Sequence, residues 1–198
     1  MCSRYELNAT AREVAGRFGL TVPPPLPNAT EVRPTDMGLV IGPEGARLLR
    51  WGLQVSWDKR PLINARAETL ATRSAFRRLL GSRVVIPATR WWEWRKEPDG
   101  KTKTKMAITR GDGDLFAFAG LVDGDRFTVV TCAPTAELAA VHDRMPAVLA
   151  PEAEAAWLDP SQPFEAASRG LLPYAGELAV TTDVGSADVG PPAQGTLF

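Results

Sequence analysis

The sequence predicts an α+β protein: a single mainly antiparallel, barrel-like β domain with helices packed around it. Three observations predict it. With 198 residues, 44% hydrophobic and 23% charged, the chain has the composition and length of one domain with a full-sized core. Five β-rich runs follow one another between residues 83 and 131, with glycine- and aspartate-containing turns among them. No repeat and no interdomain linker interrupts the pattern.

The elements follow in order. Thr10 and Glu13 fit a capping box, Val14 and Phe18 share a helix face, and Gly19 ends that first helix. Pro23-Pro24-Pro25-Leu26-Pro27 forbids regular helix and reads as an extended connector. Two strands are expected at Met37–Ile41 and Arg47–Val55, then a second helix over Thr69–Leu80 ended by Gly81. The β-rich centre comprises Arg83–Ala88, Trp91–Lys96, Lys103–Thr109, Leu115–Leu121 and Phe127–Thr131. Its turns are Pro98-Asp99-Gly100, Gly111-Asp112-Gly113-Asp114 and Asp123-Gly124-Asp125. Short helices are expected at Ala136–Val141 and Glu152–Leu158, the latter with Pro151 as its first residue. A last strand, Leu178–Thr182, closes a domain spanning 1–185, and 186–198 form a tail.

Composition excludes several classes. No run approaches 18 apolar residues and no basic segment precedes an apolar one near the start, so neither a membrane span nor a secretory signal is expected. Cys2 and Cys132 cannot build a disulfide framework, which fits a reducing cytoplasm. With one histidine beside them, no metal site and no cofactor is expected. The net charge of zero hides an asymmetry: residues 51–110 carry 14 Lys and Arg against 5 Asp and Glu, while 111–198 carry 3 against 13. Either the two faces pair with each other, or the middle third meets a polyanion. Charge alone does not decide.

The chemistry concentrates in short blocks. The chain opens Met1-Cys2-Ser3-Arg4-Tyr5. Trimming Met1 leaves an amine and a thiol on one residue: the amine adds to an aldehyde as an imine, and the thiol closes a thiazolidine ring. Taken alone, Cys2 reads as an incidental cysteine. Further along stand Arg33-Pro34-Thr35, Arg50-Trp51-Gly52-Leu53, Asn64-Ala65-Arg66-Ala67-Glu68-Thr69 and a loop with Trp57, Asp58 and Arg60. Ile86-Pro87-Ala88 leads to Trp91-Trp92-Glu93-Trp94, and the single histidine lies in His142-Asp143-Arg144-Met145-Pro146.

Six of these blocks, in order over residues 1–146, resemble the SOS-response-associated peptidase (SRAP) family, which protects abasic sites. The resemblance implies the SRAP fold and a covalent sensor of abasic sites in single-stranded DNA, monomeric, without a membrane partner, cytoplasmic and on the nucleoid when bound. It makes Cys2 the crosslinking nucleophile and Glu93 the general acid/base, a role suited to a carboxyl flanked by tryptophans. Asn64 would hold the N-terminal amine or the opened sugar, and His142 would donate to a sugar or phosphate oxygen. Arg4, Arg66 and Arg144 would contact phosphates, Trp51 and Trp94 would stack on bases, and Met145 would lie on the DNA side. At least three of the six tryptophans are expected in the core. Arg73, Arg77 and Arg78 on the second helix read as either a DNA-facing or a merely solvated face.

Ser3 departs from the family's usual glycine, at a cost of order 1 kcal/mol if the backbone there needs a positive φ. Two further readings stand beside the crosslinker. One is a cysteine peptidase acting mainly on its own leader; the other is a non-covalent single-strand-binding module.

Overall fold

The structure, a computed structural model, describes residues 2–183, so the expected tail at 186–198 and its boundary lie outside the described residues. The first strands are β1 (Tyr5–Glu6), β2 (Glu31–Val32), β3 (Met37–Gly42), β4 (Gly45–Trp51), β5 (Leu53–Val55), β6 (Asp58–Leu62) and β7 (Asn64–Arg66). Then come β8 (Arg83–Ala88), β9 (Arg90–Lys96), β10 (Lys103–Arg110), β11 (Phe116–Asp123) and β12 (Arg126–Cys132). The last are β13 (Met145–Pro146), β14 (Val148–Leu149) and β15 (Leu178–Thr182). Helices are α1 (Ala11–Phe18), α2 (Ser74–Arg77), α3 (Ala136–Ala139), α4 (Pro151–Leu158) and α5 (Phe164–Ala167).

Strands β4, β3, β8, β11 and β12 close on themselves into a five-stranded ring. The closing pair, β12 with β4, is parallel; the others are antiparallel. A second sheet, ordered β15-β10-β9-β1-β2, lies against it. The barrel-like, mainly antiparallel class is therefore what the chain adopts. Aromatic edges join ring and sheet: Tyr5 meets Trp51 at 5.3 Å and Phe118 at 5.9 Å, and Trp91 meets Phe116 and Phe118 at 5.8 Å. Such pairs contribute roughly 0.5–1.5 kcal/mol each beyond the area they bury. Arg83 is buried and donates to the carbonyls of Leu80, Trp157, Asp159 and Gln162, fastening α4 to β8.

The first helix forms with both halves of its capping box, and Gly19 ends it at φ 64°. Elsewhere the structure corrects the sequence. The expected strand Arg47–Val55 breaks into β4 and β5 at Gly52, whose φ of 112° suits only glycine. The expected helix Thr69–Leu80 shrinks to α2. Thr69 and Thr72 hydroxyls donate to the carbonyls of Arg66 and Thr69, competing with helical bonding, and Arg73 is extended. The helix expected over Ala136–Val141 stops at Ala139.

Candidate active site

The N-terminal segment reaches the site by pairing with β9. Tyr5 stands opposite Trp91 and the Trp92 amide donates to the Arg4 carbonyl, so the chain runs back past Glu93 and Trp94 towards Cys2. Cys2 is fully buried, and its thiol donates to the Arg4 carbonyl at 3.7 Å. Burial first, and the nearby Glu93 carboxyl second, push the thiol well above its ordinary range. Glu93 is only 2% exposed, and desolvation raises its carboxyl from 4.5 to about 7.

A second arm approaches along β12. There β7 lies parallel, with Asn64 opposite Val129 and Arg66 opposite Thr131. Asn64 Nδ2 donates to the Cys2 carbonyl at 2.7 Å, while its Oδ1 is buried and accepts no hydrogen bond. The expectation had Asn64 on the amine or sugar; the structure shows it gripping the Cys2 backbone, with one acceptor to spare. The loop after α3 supplies His142, whose pKa is lowered chiefly by burial. Its Nδ1 faces both the Arg144 amide at 3.1 Å and the Asp143 carboxylate at 2.8 Å.

Two cavities flank this junction. One of about 510 Å³ is lined by Glu93, Trp94, Lys96, Lys103, His142 and Asp143 among others. The other, about 460 Å³, is lined by Trp57, Asn64, Arg66 and Arg73 with Leu62 and Phe76. Trp57, 67% exposed at the β5–β6 hairpin, presents an unpacked aromatic face beside it. Sequence reasoning placed Trp57 in a loop without giving it a role. The signal it passed over was an aromatic between a strand break and charged neighbours.

Four residues expected to face DNA sit differently. Trp51 is fully buried against Tyr5 and Phe127, its Nε1 donating to the Ile63 carbonyl, so it offers no face to a base. Met145 is fully buried too, because the β13 register with Cys132 turns it into the core. Arg144 is 13% exposed; its fork donates to both Glu68 oxygens at 2.7 and 2.8 Å, and Nη2 also donates to the Thr131 carbonyl. Arg4 pairs with Glu31 at 3.4 Å and lies 5.5 Å over the Trp94 ring. Arg66 is exposed and Trp94 half-buried. Four of the six tryptophans, Trp51, Trp91, Trp92 and Trp157, are core. Ser3 is absent from the residues with positive φ, so the feared backbone strain does not arise. Among the described residues no cluster of His, Cys, Asp and Glu is arranged to hold a metal ion, and no helix is long and apolar enough to cross a membrane.

A buried cysteine, a carboxyl whose pKa is raised to about 7 and an amide clamp thus meet beside a closed strand ring and a second sheet. The chain belongs to the SOS response associated peptidase (SRAP) family, whose model matches residues 1–190. It is 36% identical over 197 residues to the Bacillus subtilis abasic site processing protein YoaM, covering 88% of this chain and 86% of that one. It is also 36% identical over 137 residues to the abasic site processing protein YedK of Escherichia coli, with 62% and 61% covered. A crystal structure of a Bacteroides thetaiotaomicron protein shares the fold, with a TM-score of 0.79, 24% identity and 91% of each chain covered.

Proposed function

We propose that the protein processes abasic sites in single-stranded DNA by forming a thiazolidine through Cys2 once Met1 is removed. The observation that carries the reading is the convergence at Cys2: Asn64 grips its carbonyl and Glu93, raised to about 7, sits beside its thiol. The freed α-amine adds to C1′ of the open-chain sugar, and the carbinolamine loses water to give an imine. The Cys2 sulfur then adds to C1′ while its proton passes to the imine nitrogen, closing the five-membered ring. A carboxyl near neutrality both gives and takes the protons these steps need. It matters the more because the buried thiol does not ionise unaided. His142, which lines the same cavity as Glu93, donates from its ring to the sugar oxygen that the opened ring exposes. The named relatives support the reading, since they are abasic site processing proteins.

A thiolate peptidase fits less well. Such enzymes lower the pKa of their cysteine with neighbouring cations, whereas burial raises this one.

The test is incubation of Met1-free protein with a single-stranded oligonucleotide bearing one abasic site, followed by denaturing electrophoresis. A denaturation-resistant adduct is expected, and Cys2→Ala should lose the stable product. An undiminished stable adduct in Cys2→Ala removes Cys2 from the mechanism. Tight lesion-independent binding with no adduct leaves a non-covalent binding module.

A further inference from the structure

The β9–β10 hairpin is rich in cations, and most of them have a carboxylate. Arg90 pairs with Glu6 at 2.9 Å, Arg95 with Glu97 at 3.2 Å, Lys105 with Asp183 at 2.6 Å, and Arg110 with Asp112. Outside the turn, where Lys101 lies, Lys96 and Lys103 break the pattern. They stand directly opposite one another in the ladder, both are exposed, and neither makes an ion pair among the described residues. Like charges directly opposite on antiparallel strands disfavour the pairing. Both lysines line the cavity that holds Glu93 and His142. Lys96 is near enough to His142 to oppose its protonation. Asp143, the other acid of that cavity besides Glu93, lies 2.8 Å from the His142 ring.

We infer that Lys96 and Lys103 together seat one phosphodiester of the bound strand, at the mouth of the cavity where the sugar reacts. Directly opposed residues of an antiparallel pair have Cβ atoms only about 5 Å apart. Two lysine arms rooted there converge on a single phosphate, which removes their mutual repulsion. The seat rests on the abasic-site reading. It adds an anchor on the side of the site away from Trp57, Arg66 and Arg73, so the lesion is gripped from both flanks.

The test uses single strands carrying tetrahydrofuran, an abasic analogue that cannot crosslink, so binding is read apart from chemistry. Affinity is measured over a range of salt for the parent, Lys96→Gln/Lys103→Gln and Lys96→Arg/Lys103→Arg. One phosphate lost should flatten the dependence of log affinity on log salt by about 0.7 for a single strand. The glutamine pair should show that loss and bind about tenfold more weakly, and the arginine pair should restore both. A second arm replaces single linkages beside the lesion with uncharged methylphosphonate. One linkage should weaken the parent and leave the glutamine pair unaffected. An unchanged salt slope in the glutamine pair, or equal methylphosphonate penalties in both proteins, overturns the seat. Loss of the abasic-site reading looks different: the parent forms no adduct with a true abasic site, whatever the lysines do.

Discussion

At the scale of single residues, the proposed DNA contact of Arg144 meets a competitor in the Glu68–Arg144 pair. A guanidinium fork matches phosphate as well as it matches carboxylate, and here the carboxylate has it. The two partners are unequally placed, Glu68 being 53% exposed and Arg144 13%. The arginine is thus fixed in the wall while the glutamate is able to swing away. Arg144 also donates its amide to His142 Nδ1, so the same residue helps to hold that ring in place. A phosphate reaching Arg144 must displace Glu68. Glu68→Gln weakens the competitor without shortening it, and it should tighten noncovalent binding of single-stranded DNA several-fold and steepen its salt dependence. The pair's own contribution to stability is small, about 1 kcal/mol at most for a half-exposed carboxylate. Fluorescence anisotropy at several salt concentrations checks this. Weaker binding in Glu68→Gln means that the glutamate orients the arginine for DNA instead of competing for it.

At the scale of elements, local rules were legible where side chain and backbone agree within a few residues. The α1 capping box, the Pro151 start of α4 and the glycine-marked hairpin turns around β10 and β11 are all such cases. Short strands that exist only through distant partners were not. β7 is held by β12, 65 residues away, and no strand was expected at Asn64–Arg66. Trp51 fell to the same cause: an Arg-Trp-Gly-Leu block does not reveal which face of β4 meets the ring's interior. Gly52 links these observations. Its φ of 112° bends the chain from the ring into the β5–β6 hairpin, and a Cβ there would come within 2.7 Å of the Pro61 ring. Gly52→Ala should cost about 1–3 kcal/mol of stability and displace the Trp57 hairpin. Thermal melting together with Trp57 fluorescence, read against a Trp57→Phe control, checks both effects. A normal melt with unchanged emission shows that the bend is not set by Gly52.

At the scale of the whole molecule, the question is what it costs to keep an acid buried at the meeting of two sheets. Glu93 ordinarily titrates near 4.5 and in the fold near 7. Below pH 4.5 both folded and unfolded chains hold its proton, and the group has no effect on stability. Between 4.5 and 7 the unfolded chain releases the proton while the folded one keeps it, so stability falls as pH rises; above 7 the full penalty stands. The size of the shift corresponds to about 3 kcal/mol as an upper figure. Glu93→Gln keeps the shape and carries no charge at any pH. Its melting temperature relative to the parent, compared with the same N-terminus on both, should therefore climb between pH 4.5 and 7 and then level off. The same variant should form and reverse the abasic-site adduct about 10²–10⁴-fold more slowly at pH 7, because glutamine moves no proton. Gain in stability with loss of rate is the signature of a group held at a cost for chemistry. If Glu93 were instead the stabilising half of an ion pair, the replacement would melt lower at pH 8 and crosslink at the parent's rate.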